Sequence, residues 1–228
     1  MLLKKWENLP PAMQNELVRK YYEILVRKKC SLFWKRVLDI VLSCILLVLL
    51  SPVFLVLAVA IKADSKGGVF FRQERVTQYG KVFRIFKFRT MVSDAESLGA
   101  SVTSDGDSRI TRVGAAIRKC RLDEIAQLLN ILSGDMSFVG TRPEVVKYVD
   151  HYTEEMMATL LLPAGVTSMA SILYKDEDRL ISSSDNADET YINIVMPEKM
   201  RYNLQSIEKY SFWDDVKTMF KTVFAVLK

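Results

Sequence analysis

The amino-acid sequence predicts an α+β fold, mostly helical. It has an N-terminal re-entrant membrane helix–break–helix, then a small domain on the cytoplasmic face with a short β-hairpin and surface amphipathic helices. Three observations predict this. Residues 37–61 form an apolar run with a single charge, interrupted by Ser51-Pro52. Two aromatic and basic stretches flank a Gln78-Tyr79-Gly80-Lys81 turn. Most segments after residue 110 carry apolar residues at helical spacing.

Residues 1–36 form the first unit, polar and basic. Leu17, Tyr21, Tyr22, Ile24, Leu25 and Lys28 follow Pro10-Pro11 at helix-like spacing, which predicts an amphipathic helix lying on a surface. Residues 37–61 form the second unit, and Asp39 is their one charge. Their length fits a membrane span. Pro52 removes a backbone donor and its ring crowds the preceding turn, so the helix must kink or break. Both flanks are basic: Arg27, Lys28, Lys29, Lys35 and Arg36 before, Lys62, Lys66, Arg72 and Arg75 after. The positive-inside rule places both flanks in the cytoplasm only if the chain bends and returns. A re-entrant hairpin is therefore favoured over the alternative, a proline-kinked crossing.

Residues 62–228 form the third unit. Strands are expected over Val69–Arg72 and Val82–Met91. The second mixes Phe83, Arg84, Phe86, Lys87, Phe88 and Arg89 too irregularly to assign a buried face. Such a segment suits a membrane–water boundary, where cations meet phosphates, or a small sheet with a solvated basic edge. Residues 92–108 read as a mobile polar loop. Thr111 caps a helix over 112–119. A second helix runs from Asp123 to Leu132, with Ile125, Leu128, Leu129 and Leu132 as its buried stripe and Gly134 as its stop. Residues 144–160 and 197–210 also read as helices. The tail from Phe212 to Leu227 sets Trp213, Phe220 and Phe224 among lysines, a further membrane-surface candidate.

Half of the 228 residues are apolar, and the net charge is +5. A basic balance is compatible with nucleic acid, an anionic membrane face or phosphate-bearing substrates. No zinc-finger spacing, RNP-like motif or long basic helix occurs, so nucleic acid is not an expected partner. Cys30, Cys44 and Cys120 lie far apart and His151 is the one histidine, which argues against structural zinc and for free thiols in a reducing compartment. No cleavable signal peptide is expected, because the apolar run starts late and lacks a small-residue cleavage site after it.

Asp123-Glu124 alone reads as a helix cap, since acidic residues are favoured in a first turn. Its neighbours add a second reading. Arg118 lies five residues before Asp123, and Arg142 closes the segment Ser133-Gly-Asp-Met-Ser-Phe-Val-Gly-Thr-Arg142. Two arginines, a carboxylate pair at a helix start and a Gly-rich turn make a phosphate site. Paired carboxylates beside phosphate suggest Mg²⁺. Each arginine by itself is also compatible with a surface ion pair. Nearby cations and the helix terminus are expected to keep Asp123 ionised.

Arg118-Lys-Cys-Arg-Leu-Asp123-Glu124-Ile-Ala-Gln-Leu-Leu-Asn130, followed by Gly134-Asp-Met-Ser-Phe-Val-Gly-Thr-Arg-Pro143, resembles the bacterial sugar transferase family, the monotopic polyprenyl-phosphate phosphoglycosyl transferases. The resemblance also takes in Lys35-Arg36-Val-Leu-Asp39, Ser51-Pro52, Phe71-Arg-Gln-Glu-Arg75, Phe86-Lys-Phe-Arg-Thr-Met91 and Asp107-Ser-Arg-Ile-Thr111, most of residues 35–145. It implies an enzyme that moves a sugar-1-phosphate from a nucleotide sugar, expected to be a UDP-sugar, to polyprenyl (undecaprenyl) phosphate, initiating a cell-surface glycan such as an exopolysaccharide. By the same resemblance Asp123 is the nucleophile, Glu124 holds Mg²⁺ with Asp123 contributing, and Arg118, Arg142, Lys87 and Arg89 bind substrate. Ser51 and Pro52 break the membrane helix, and Lys35, Arg36 and Asp39 anchor it. The implied setting is the cytoplasmic face of the bacterial inner membrane, with membrane lipid and downstream glycosyltransferases as partners.

Two departures stand out. Ala126 replaces a proline usual in the family, and the C-terminal part lacks a Gly-Arg-Asn…Trp segment, which leaves the sugar open. Two other functions compete. One is a membrane scaffold without chemistry. The other is a conventional glycosyl transferase, for which Asp105-Gly-Asp107 has the spacing of a metal-binding D-x-D motif.

Overall fold

The computed structural model describes residues 3–93, 95, 107–174 and 186–227. Two single turns, Trp6–Asn8 and Pro11–Met13, lead to helix α1 (Glu16–Arg27), where Asn15 Oδ1 accepts from Val18 N at 2.9 Å. The amphipathic stripe is real, but it does not lie on a free surface. Val18, Tyr21 and Leu25 are buried with Leu9, Met13 and Leu32 against Leu160, Leu161, Leu204 and Ile207. Periodicity reveals an apolar face and not what covers it; here the protein's own core does.

Helices α2 (Lys29–Leu49) and α3 (Ser51–Asp64) meet at a 60° bend. The break follows from Ser51 and Pro52 together. Proline at 52 has no N–H for the Val48 carbonyl one turn back. Ser51 Oγ donates to that carbonyl instead, at 2.8 Å. The inner face of the pair packs on the domain: Leu46, Leu47 and Leu50 on Phe83, Ile85 and Ile131, and Phe54, Leu57 and Ile61 around Phe88, Ile117 and Ala126. The outer face leaves Val41, Ile45, Val48, Leu49, Leu55, Val56 and Val59 exposed. Among the described residues no single helix is long and apolar enough to cross a membrane.

The first turns of α2 hold the pair to the domain. Lys35 Nζ donates to Val139 O and to Asp215 Oδ2, both at 2.7 Å. Arg36 donates to the carbonyls of Ile131 and Leu132 at 2.6 and 3.0 Å. Asp39 Oδ1 accepts from Ser137 Oγ and Phe138 N, both at 3.1 Å. All three side chains thus tie α2 to the rest of the protein.

Strands β1 (Phe70–Val76) and β2 (Val82–Phe88) form an antiparallel hairpin with Phe70 opposite Phe88 and Val76 opposite Val82. Tyr79 and Gly80 turn it at φ 61° and 73°. Helix α4 (Arg112–Lys119) starts where Thr111 Oγ1 accepts from Gly114 N at 3.0 Å. Gly114 touches the hairpin so closely that a Cβ there would lie 2.0 Å from Thr90 O.

The second expected helix is two pieces: a 3₁₀ turn over Leu122–Gln127 and α5 (Leu128–Ser133), closed by Gly134 at φ 92°. The expected stripe is displaced. Ala126, Leu128 and Ile131 are buried, while Leu132 is 37% exposed. A 3₁₀ turn has three residues per turn rather than 3.6, so the face rotates where the two join.

Strands β3 (Met136–Val139) and β4 (Ala164–Thr167) pair in parallel, an element absent from the sequence reading. The helix expected over 144–160 is a single turn, α6 (Val146–Val149), and a 3₁₀ segment, Met156–Leu161. Helix α7 (Met169–Leu173) follows, and later α8 (Ala187–Thr190), a π turn (Tyr191–Val195), α9 (Met196–Glu208) and α10 (Phe212–Leu227). The tail is helical as expected, with Trp213, Phe220 and Phe224 exposed. Residues 94 and 96–106 of the expected loop lie outside the described residues.

Candidate active site

Between α4 and the 3₁₀ turn, Arg121 adopts φ 54°, ψ 21°, a left-handed conformation that costs energy in any residue but glycine. The chain reverses there, and Arg118 and Asp123 come to line the same cleft. The cleft holds about 610 Å³. Among the described residues its charged lining is Arg72, Arg75, Arg84, Lys87, Arg89, Arg109 and Arg118, with Asp123 as the one carboxylate. Such an excess of cations around a concave wall concentrates anions.

Successive residues of a 3₁₀ turn point about 120° apart. Asp123 faces the cleft, and Glu124 turns toward Lys87 and Arg142. Glu124 Oε1 accepts from Arg142 Nη2 at 2.9 Å and from Lys87 Nζ at 3.2 Å. Burial by itself would raise the Glu124 pKa, but Arg142 and then Lys87 outweigh it and hold the carboxyl at about 2. Lys87 is pushed down by burial and by Arg142, against the pull of Glu124. One anion is thus shared between these two cations. Asp123 departs from expectation. Burial first and the Glu124 charge second raise its pKa, against the opposing pull of Lys87 and Arg118.

Asn130 sets the distance between the two halves. Its side chain accepts from Phe86 N at 2.7 Å and donates to Arg84 O at 3.2 Å, which fixes β2, and with it Lys87, over Glu124. The Arg142 segment is held from β1, where Arg75 Nη1 donates to Pro143 O at 3.1 Å and Val76 N to Glu144 O at 2.8 Å. Arg142 itself does not line the cleft; its guanidinium meets Glu124 from behind. Arg89 lines it, but its donors reach the carbonyls of Ile61, Ser65 and Lys66 and close the end of α3.

Residues 30–228 match the family model described as bacterial sugar transferase. The chain belongs to the bacterial sugar transferase family. It is 38% identical over 198 residues to a UDP-N-acetylgalactosamine-undecaprenyl-phosphate N-acetylgalactosaminephosphotransferase of Aeromonas hydrophila, covering 86% of this chain and 44% of that protein. It is 34% identical to a UDP-glucose:undecaprenyl-phosphate glucose-1-phosphate transferase of Klebsiella pneumoniae, covering 85% and 40%. A Caulobacter vibrioides protein of the same name is 35% identical, covering 85% and 69%. The chain thus spans less than half the length of the first two relatives.

Among the described residues no three His, Cys, Asp or Glu side chains form a ready cation cage. Mg²⁺ does not need one; it takes one or two carboxylates and completes its shell with water and substrate phosphates. Asp123 faces the cleft, and both hydrogen bonds to Glu124 fall on Oε1, so the pair fits a cation held jointly with a diphosphate.

The sequence reading missed Arg75, Gln73 and Arg109 as cleft residues, although the motifs carrying the resemblance contain all three. Asp107 is held by Arg109 through contacts of 2.6–3.1 Å, and this drops its pKa to about 2. Asp105, the other half of the D-x-D spacing, lies outside the described residues.

Proposed function

We propose that this chain transfers a sugar-1-phosphate from a nucleotide sugar, with UDP the expected nucleotide, to a polyprenyl phosphate such as undecaprenyl phosphate. The observation that carries the reading is Asp123, one carboxylate facing a cleft walled by cations. A carboxylate is a modest nucleophile but a good leaving group from phosphorus, so it divides one displacement into two. In the first, an Asp123 oxygen bonds to the sugar-linked phosphorus, the bridging P–O bond breaks, and nucleoside monophosphate leaves. In the second, an oxygen of the lipid phosphate attacks that phosphorus and releases Asp123, giving polyprenyl-diphosphate-sugar. Arg118 and Lys87 face the phosphates, and Arg142 and Glu124 form the layer behind. Asp123 and Glu124 would hold Mg²⁺ together with the substrate, and the ion would supply neutralisation of the diphosphate charge.

The lipid acceptor fits the outer face of α2 and α3, where apolar side chains stand exposed on both arms of a bent pair with basic flanks. The reading is of a re-entrant hairpin in the cytoplasmic leaflet of a bacterial membrane, with α10 on the lipid surface. The lipid-linked product then needs further glycosyltransferases. Relatives of similar identity carry different sugars in their names, so identity does not select the sugar.

The test is a set of UDP-sugars incubated with polyprenyl phosphate, scoring the nucleotide released. Monophosphate is expected. Diphosphate would indicate ordinary glycosyl transfer, and no release with any sugar would favour the scaffold.

A further inference from the structure

A buried polar cluster lies two residues beyond Arg142, and the chemistry above does not use it. Glu144 is 6% exposed and Lys199 is 4% exposed. The Tyr191 hydroxyl donates to Glu144 Oε1, and Lys199 Nζ donates to that hydroxyl at 3.4 Å and sits 5.3 Å from the ring centre. The Tyr191 ring packs on Tyr148 with centroids 4.6 Å apart. Burying a carboxylate and an ammonium is costly, and such groups often specify geometry rather than add stability. Tyr191 also opens the π turn, a rare irregularity that is frequent at functional sites.

On its other side Glu144 is tied to the cleft. Its carbonyl accepts from Val76 N, and the Pro143 carbonyl accepts from Arg75 Nη1. Arg75 Nη2 and Nε donate to Gln73 Oε1 at 2.6 and 3.1 Å, and both Arg75 and Gln73 line the cleft. Arg142 is therefore held between two carboxylates: Glu124, which meets its guanidinium, and Glu144, which fixes the backbone two residues on.

We propose that Glu144 and Tyr191 are positioning residues for donor binding. Braced by Lys199, they lock the Pro143-Glu144 backbone and so hold the Arg142 guanidinium on Glu124, behind the residues that face the donor phosphates. The inference rests on the reading that Arg142 serves donor binding. It gives the C-terminal π turn and α9, which reach no reacting atom, a defined part in substrate affinity.

The test is a double-mutant cycle on the full chain in lipid, reading KM for the nucleotide sugar, kcat for monophosphate release and Tm. Tyr191→Phe removes one hydroxyl and keeps the ring. It should raise KM about fivefold, the weight of one buried hydrogen bond, with kcat and Tm near those of the parent. Glu144→Gln keeps an acceptor for Tyr191 and should raise KM by less. In an Arg142→Ala background Tyr191→Phe should add nothing, because the group being positioned is gone. A parental KM in Tyr191→Phe, or losses that add fully in the double variant, would overturn the proposal while leaving the role of Arg142 intact. A parental KM in Arg142→Ala would overturn both, and it is visible in that single variant.

Discussion

Arg142 Nη2 lies 2.9 Å from Glu124 Oε1, the same oxygen that Lys87 approaches at 3.2 Å. One carboxylate thus holds two cations, and its neighbour Asp123 is left facing the cleft.

Asp123 should carry the phosphosugar. Enzyme mixed with nucleotide sugar and Mg²⁺, without lipid, should release nucleoside monophosphate and gain the mass of one phosphosugar, with ping-pong kinetics in the full reaction. Asp123→Asn keeps the size and removes the nucleophile, so turnover and labelling should both vanish. Intact-protein mass spectrometry with peptide mapping decides it; an adduct on another residue would overturn the assignment.

The half-reaction should have an acid limb set by Asp123. An acid whose pKa is raised stays protonated to higher pH, and only the ionised form attacks. The rate should therefore fall, on acidification, at a pH above the ordinary aspartate value of about 3.9. Glu124 is the second cause of that rise. Where Glu124→Gln retains measurable turnover, its limb should shift to lower pH. A single-turnover pH profile that shifts upward would count against this electrostatic account.

Glu124 should also leave a signature in stability. Its folded-state pKa, about 2, lies below the unperturbed 4.5, so its contribution is present above pH 4.5 and is lost as pH falls toward 2. Glu124→Gln should lower Tm at neutral pH by leaving Lys87 and Arg142 facing each other. The gap from the parent should close across that acid window. A constant Tm gap from pH 6 to pH 3 would contradict it.

Arg142→Lys should impair donor binding although the charge is kept, because lysine lacks the planar fork. The expected loss in kcat/KM corresponds to about 1–3 kcal/mol. Unchanged kinetics in Arg142→Lys and Arg142→Ala would return this residue to a plain ion pair.

Topology should follow Ser51-Pro52. Cysteines placed near the N-terminus and near the C-terminus, after replacement of the native ones, should both resist labelling from outside intact cells. Labelling of one end alone would show a crossing. Pro52→Ala restores a donor for the Val48 carbonyl and should straighten the pair, converting part of the population to a true span.

Several features were legible in the sequence because their causes lie within a few residues of one another. The Ser51-Pro52 break, the Thr111 cap, the turn at Tyr79-Gly80 and the Gly134 stop each depend on local backbone chemistry. The Asp123-Glu124 pair and its arginines were legible as a set through ordered motifs. Their arrangement was not. Which acid faces the cleft depends on a 3₁₀ turn that begins after a left-handed Arg121, and residue spacing does not distinguish that turn from an α-helix.

By itself the sequence determined the helix break at Ser51-Pro52 and the family, and it singled out Asp123 and Glu124 as the candidate acids. Tertiary structure alone decided that α1 joins the core, that β3 pairs with β4, that Arg89 closes a helix end, and that Asp123 has a raised pKa while Glu124 has a lowered one. The physical reason is range. Capping, proline and glycine effects act within about one turn, whereas burial and charge pairing depend on residues that the fold brings together from far apart, as Arg142 is brought to Glu124.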